Sequence, residues 1–134
     1  MLQLVWNFSA SVSGGPSVAA ASSGEIAALD KAVVTIQNNG TDSVLDLQPS
    51  PASKILLLVA QCSVADPKVT IKLSDGAATT PVVTGPMPLD SPLLLAGAAL
   101  SLLSGPPIQA ILNFATGGAA GSKATIELLV ARER

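Results

Sequence analysis

Histidine and tyrosine are absent from this 134-residue chain, and cysteine occurs once. Without histidine there is no Ser-His-Asp or Cys-His catalytic site and no Cys/His zinc site, and one cysteine leaves no intrachain disulfide. Charge is scarce too: Asp, Glu, Lys and Arg make up 12% of residues, about half the usual ~25%, and the net charge is -2. No basic stripe forms and aromatics amount to 2%, which excludes direct nucleic-acid recognition through phosphates or stacked bases. Long hydrophobic runs are also missing. The most apolar part, Leu93 to Leu103, is about half of the ~20 residues a membrane helix needs. Its extension meets Gly105-Pro106-Pro107, so it reads as buried core and a membrane partner is not expected. The uncharged start, Met1 to Gly24, lacks the positive n-region and apolar h-region of a signal peptide.

What is present is apolar and punctuated. Hydrophobic residues reach 49%, with 11 Gly and 10 Pro. Leu2, Leu4, Trp6, Phe8, Ala10 and Val12 alternate with smaller or polar residues, the period-two signature of a long strand with one apolar face. Trp6, Phe8 and Phe114, all the aromatics of the chain, are the expected core anchors. Gly14 to Gly24 reads as a small-residue loop. Ile26 to Leu29 and Ala32 to Gln37 are short strands, and Asn38-Asn39-Gly40-Thr41 is the strongest turn, suggesting a hairpin with Val44 to Gln48.

Lys54 to Ser63, including Cys62, is apolar almost throughout, as in a central strand covered on both faces. Lys68 to Ser74 places Val69, Ile71 and Leu73 inward. Thr79 to Thr84 is an edge candidate because Pro81 cannot donate to a ladder. Pro92 to Ala96 reads as a strand, and Ala98 to Leu103 as a further strand or a helical turn. Ile108 to Thr116 and Lys123 to Arg132 close the chain, the last with Ala124, Ile126, Leu128 and Val130 on one face. The expected fold is all-β: one antiparallel β-sandwich over residues 1-134, jelly-roll-like, with an immunoglobulin-like sandwich or a small barrel as alternatives.

The remaining polar residues make no constellation. Asp42, Asp46, Asp66, Asp75 and Asp90 sit beside turns or on exposed strand positions, and Lys54, Lys68, Lys72 and Lys123 at strand ends or solvent-facing positions. Gly117-Gly118-Ala119-Ala120-Gly121 lacks the Lys-Ser/Thr ending of a phosphate loop. No catalytic, cofactor-binding or metal-ligating residue is assigned, and no cofactor or enzymatic activity is expected. A carbohydrate-binding sandwich would want exposed Trp or Tyr platforms. What remains is association through neutral surface, for which Leu93, Leu94, Leu95, Leu100, Leu102 and Leu103 are the candidate interface, with the Gly14 to Gly24 segment beside them.

A strand beginning near Met1, connections rich in Gly, Ala, Ser and Thr, and the closing segment KATIELLVARER together resemble the small all-β structural proteins of tailed-bacteriophage particles, in particular capsid cement or decoration proteins. The resemblance is one of style over most of the chain and carries over no residue. It implies a virion protein, assembled in the host cytoplasm, that sits on the outer capsid surface as a homodimer or homotrimer. There it would bridge neighbouring subunits of the major capsid protein and stabilise the shell. A tail or fibre module, or a carbohydrate-binding sandwich, is the alternative.

Overall fold

A computed structural model describes residues 2–26, 28–47, 55–76, 79–80, 83–96, 109–116 and 121–132. Among these residues every regular element is a strand, in chain order β1 (Leu2–Ser11), β2 (Ser17–Ile26), β3 (Ala28–Gln37), β4 (Ser43–Asp46), β5 (Ile55–Cys62), β6 (Val69–Ser74), β7 (Met87–Pro88), β8 (Leu93–Ala96), β9 (Gln109–Phe114) and β10 (Lys123–Arg132). They form a two-stranded ribbon, β1-β2, and two four-stranded antiparallel sheets packed as a sandwich. The proximal sheet, next to the ribbon, has the order β3-β10-β5-β8, and the distal sheet β4-β9-β6-β7. No helix among the described residues is long and apolar enough to cross a membrane.

Alternation in the sequence explains the core directly. From the proximal sheet, β10 contributes Ala124, Ile126, Leu128 and Val130, and β5 contributes Leu58 and Ala60; from the distal sheet, β6 contributes Val69, Ile71 and Leu73, and β9 contributes Ala110, Leu112 and Phe114. All are buried, because residues two apart on a strand share a face and these faces oppose each other. The near-continuous apolar run of β5 is the central strand expected of it: it pairs with β10 on one side and β8 on the other. A bulge where Ala131 pairs with Leu57 but Arg132 pairs with Ile55 leaves Leu56 as the extra residue. Leu56 and Leu57 consequently both join a second apolar cluster on the outer side of the sheet.

Two local expectations are corrected. The segment read as a loop from Gly14 to Gly24 is strand from Ser17 onward, because each of its small residues is in ladder register with β1, from Ser11↔Ser17 to Leu2↔Ile26. The turn at Asn38 to Thr41 does not close a hairpin. Its flanking strands lie in different sheets, β3 against β10 and β4 against β9. Gly40, at φ 73, turns the chain across the end of the sandwich. The crossing is held by Gly40 N–H donating to the Phe114 carbonyl (2.9 Å) and by Asn113 Nδ2 donating to the Gly40 carbonyl (2.9 Å) and Asp42 Oδ1 (2.8 Å). The Asn-Gly pair supplied the positive φ but could not reveal where the two strands find partners. The edge segment before β7 is represented by an isolated bridge, Ser74↔Val83. Ala98 to Leu103 lies outside the described residues.

At the end of β10 the side chain of Arg132 is buried, and its Nη1 donates to Asp30 Oδ2. Its Nε has no hydrogen-bond partner among the described residues. Removing the carboxylate leaves a buried guanidinium without its counter-charge. Asp30→Asn is expected to cost about 2 kcal/mol by urea unfolding, less than the ~3–5 kcal/mol of a fully enclosed pair because the Asp30 side chain is 59% exposed. Adding Arg132→Met removes the charge and restores part of that loss. Leu128→Ala, at a position with 0% exposure, is expected to cost about 3 kcal/mol in the same assay, against less than about 0.5 kcal/mol for Val33→Ala on the outer surface.

Candidate functional site

The ribbon is an arm. Its two ten-residue strands are joined at the tip by Val12 to Pro16, where Gly15 N–H donates to the Val12 carbonyl (2.8 Å) and Gly14 takes φ 70. One face of the arm carries the bulky residues of β1. Across the ladder three of them meet a small residue of β2: Leu4 opposite Gly24, Trp6 opposite Ser22, Phe8 opposite Ala20. Large side chains from one strand thus lie beside a low floor from the other, and the ribbon stays thin. No Asp, Glu, Lys or Arg occurs before Glu25, so nothing charged rims this face.

Only the root of the arm is docked. Ile26, Leu57 and Ala131 are buried together, with Leu4, Trp6, Leu56, Val59 and Ala96 packed against them. This small cluster is separate from the main core and lies on the outer face of the proximal sheet. The expected core anchors therefore divide. Phe114 is in the main core, and Trp6 is half-buried in the root cluster. Phe8 is corrected: it is 46% exposed, because it lies further along a ribbon whose strands pair only with each other. Val12 and Val18 near the tip are more exposed still.

The outer face of the proximal sheet continues the apolar surface. Ladder pairing sets Leu129 beside Val59, and Val59 beside Leu94, in one row; Leu29, Ala131, Leu57 and Ala96 form the next. Eight of the eleven exposed large hydrophobic residues described lie either on the arm (Leu2, Val5, Phe8, Val12, Val18) or on this face (Leu29, Val33, Leu94). An open depression of about 170 Å³ is lined by Val59, Leu128 and Leu129, with Lys31, Gln61 and Glu127 at its polar side. Lys31 Nζ stands 3.9 Å from Glu127 Oε1, an exposed pair that contributes little to stability. A neighbouring depression of about 250 Å³ is lined by Gln61, Cys62, Ser63, Thr125 and Glu127.

Of the expected leucine interface, three members lie on β8. Leu94 faces outward on β8, whereas Leu93 and Leu95 point the other way and pack on the main core, as period two requires. Leu100, Leu102 and Leu103 lie outside the described residues. The residues that sequence reasoning passed over are Leu29, Val33, Val59 and Leu129. Their signal was present: β3 and β10 carry apolar residues at both parities, which marks strands whose two faces both want cover.

Chemically the surface is suited to dry contact. No three His, Cys, Asp or Glu side chains come together among the described residues in a way that could hold a metal ion. Both depressions are shallower than the ~300–1,000 Å³ clefts that enclose small ligands. Comparison with known protein families, curated proteins and solved structures finds no match.

The root contact makes a direct forecast. Trp6→Ala is expected to lower hydrogen-exchange protection of the arm amides about tenfold or more while leaving β5 and β10 as protected as before, since arm opening is local. Phe8→Ala in dilute protein should leave both sets unchanged.

Proposed function

We propose that this chain is a non-enzymatic structural protein of the capsid cement or decoration kind, an oligomer that fastens neighbouring subunits of a viral shell. The observation carrying this reading is the arm: an apolar-faced ribbon, uncharged from Leu2 to Gly24, standing off a sandwich that has a core of its own. An isolated two-stranded ribbon is marginal in water, and a ribbon with exposed Phe8, Val12 and Val18 gains most when laid on a second surface. Adhesion of this sort needs no catalytic group. Each arm contributes a modest contact, and symmetry multiplies it.

A second reading, a tail-fibre or carbohydrate-binding module, draws on Phe8, the most exposed aromatic described. A ring of this kind can carry a sugar face. Yet its neighbours on the same arm face are Trp6, Ala10, Val18, Ala20 and Ser22, which offer a sugar's hydroxyls a single polar side chain.

The test is co-sedimentation of the purified chain with cement-free capsids of the particle that encodes it. Saturable binding is expected, with a rise in the shell's disruption temperature. Phe8→Asp with Val18→Asp should weaken binding by about tenfold or more while the monomer stays folded. Binding to glycans but not to capsids would support the second reading instead.

A further inference from the structure

We propose that the arm tip is one half of a contact between copies of this chain, with Phe8 of one copy seated in the depression between Val59 and Leu129 on the outer face of the other copy's proximal sheet. The contact mode is already visible inside one molecule. Leu4 and Trp6, on the apolar face of the arm, pack against the cluster that holds Leu57 and Ala131 of that sheet face, and Val59 and Ala96 of the sheet border the same cluster. Phe8 continues the same face of the same ribbon two positions further along. The ligand and its receptor surface are thus both on this chain, and the tip half lacks only a second sheet to lie on.

Size and charge favour the same occupant. A cavity of ~150 Å³ accommodates a benzene ring, and the depression measures about 170 Å³. Its apolar side chains are Val59 and Leu129, while Lys31 and Glu127 on its polar side neutralise each other. An uncharged tip therefore meets no unpaired charge there. A nucleic acid or an acidic partner would find nothing on the arm to bind.

The contact area dictates reciprocity. The undocked tip spans about five ladder positions, roughly 17 Å by 10 Å from strand rise and spacing. That is well below the ~800 Å² per partner of a standard interface, so a single tip does not hold two copies together. Two arms exchanged about a two-fold axis, or a ring in which each copy gives one tip and receives another, double the surface buried per copy and close the assembly. Association through so small a contact is then weak and concentration-dependent.

The inference deepens the structural reading but fails separately from it. Sedimentation velocity on the full chain from about 1 µM to about 1 mM is expected to show a closed oligomer, and Phe8→Asp to raise its dissociation constant about 30-fold or more, the scale of an interface hot spot. A photoreactive benzoylphenylalanine at position 8, in a mixture of heavy- and light-isotope chains, should cross-link between chains to peptides containing Val59 or Leu129. A monomer at every concentration overturns the inference even if capsid binding persists, as do cross-links confined to one chain or falling elsewhere. An arm-dependent oligomer that never binds capsids leaves the inference standing and removes the cement reading.

Discussion

Everything in this molecule depends on the burial of β10. Like β5, it has neighbours on both edges and apolar residues on both faces: Ala124, Ile126, Leu128 and Val130 fill the sandwich, while Leu129 and Ala131 lie on the outside. Its partners β3 and β5 come from far earlier in the chain, so the proximal sheet is completed only when β10 joins them. Non-local pairing of this kind pays loop-closure entropy before any contact rewards it. The arm's root rests on this strand and on the bulge it shares with β5. A shift of one residue in that register would turn Ala131 and Leu57 away from Trp6 and bring core residues outward.

The periodicity of the sequence made most of the strands readable, and the reason is physical. Where one face of a strand is buried and the other is wet, the chain must alternate, as in Val69, Ile71 and Leu73 or Ala124 through Val130. Where both faces are covered it must not, as in β5. The same logic could not say what covers a face. The alternation from Leu2 to Val12 was genuine, but it implied a core for Phe8 that the fold does not provide. Nor did Asn38 to Thr41 show that its turn passes between sheets, since a positive φ at Gly40 serves a hairpin and a crossing equally well. Ser17 to Gly24 hid as a loop because its residues are small.

The apolar excess of the composition has a definite place in the fold. The main core uses the inward halves of eight strands, as any sandwich does. The surplus lies outside it, on the outer face of the proximal sheet and along the arm, and these two surfaces meet at the root. Natural sheets usually blunt such surfaces with Lys or inward charge. Here Lys31 and Glu127 are the charged pair on that face, and they pair with each other. The arm has no such protection. Its sequence leaves it adhesive over its whole length.

That lack of protection would be hazardous in a flat, wide strand, and the geometry of the arm limits it. Leu4, Trp6 and Phe8 stand on β1 opposite Gly24, Ser22 and Ala20, so this stretch of the ribbon offers one row of knobs with a smooth strip beside it, and Val18 of β2 stands opposite Ala10 nearer the tip. A row of knobs fits only a surface with matching hollows, whereas a broad apolar face would accept almost any other. On the opposite face of the arm Gln3, Asn7, Ser9, Ser11 and Ser17 surround the exposed Val5, and these polar side chains hydrogen-bond to water and discourage stacking on that side. An arm built this way combines attraction with selectivity: the absence of charge permits close contact, and the single row of large side chains restricts where that contact forms.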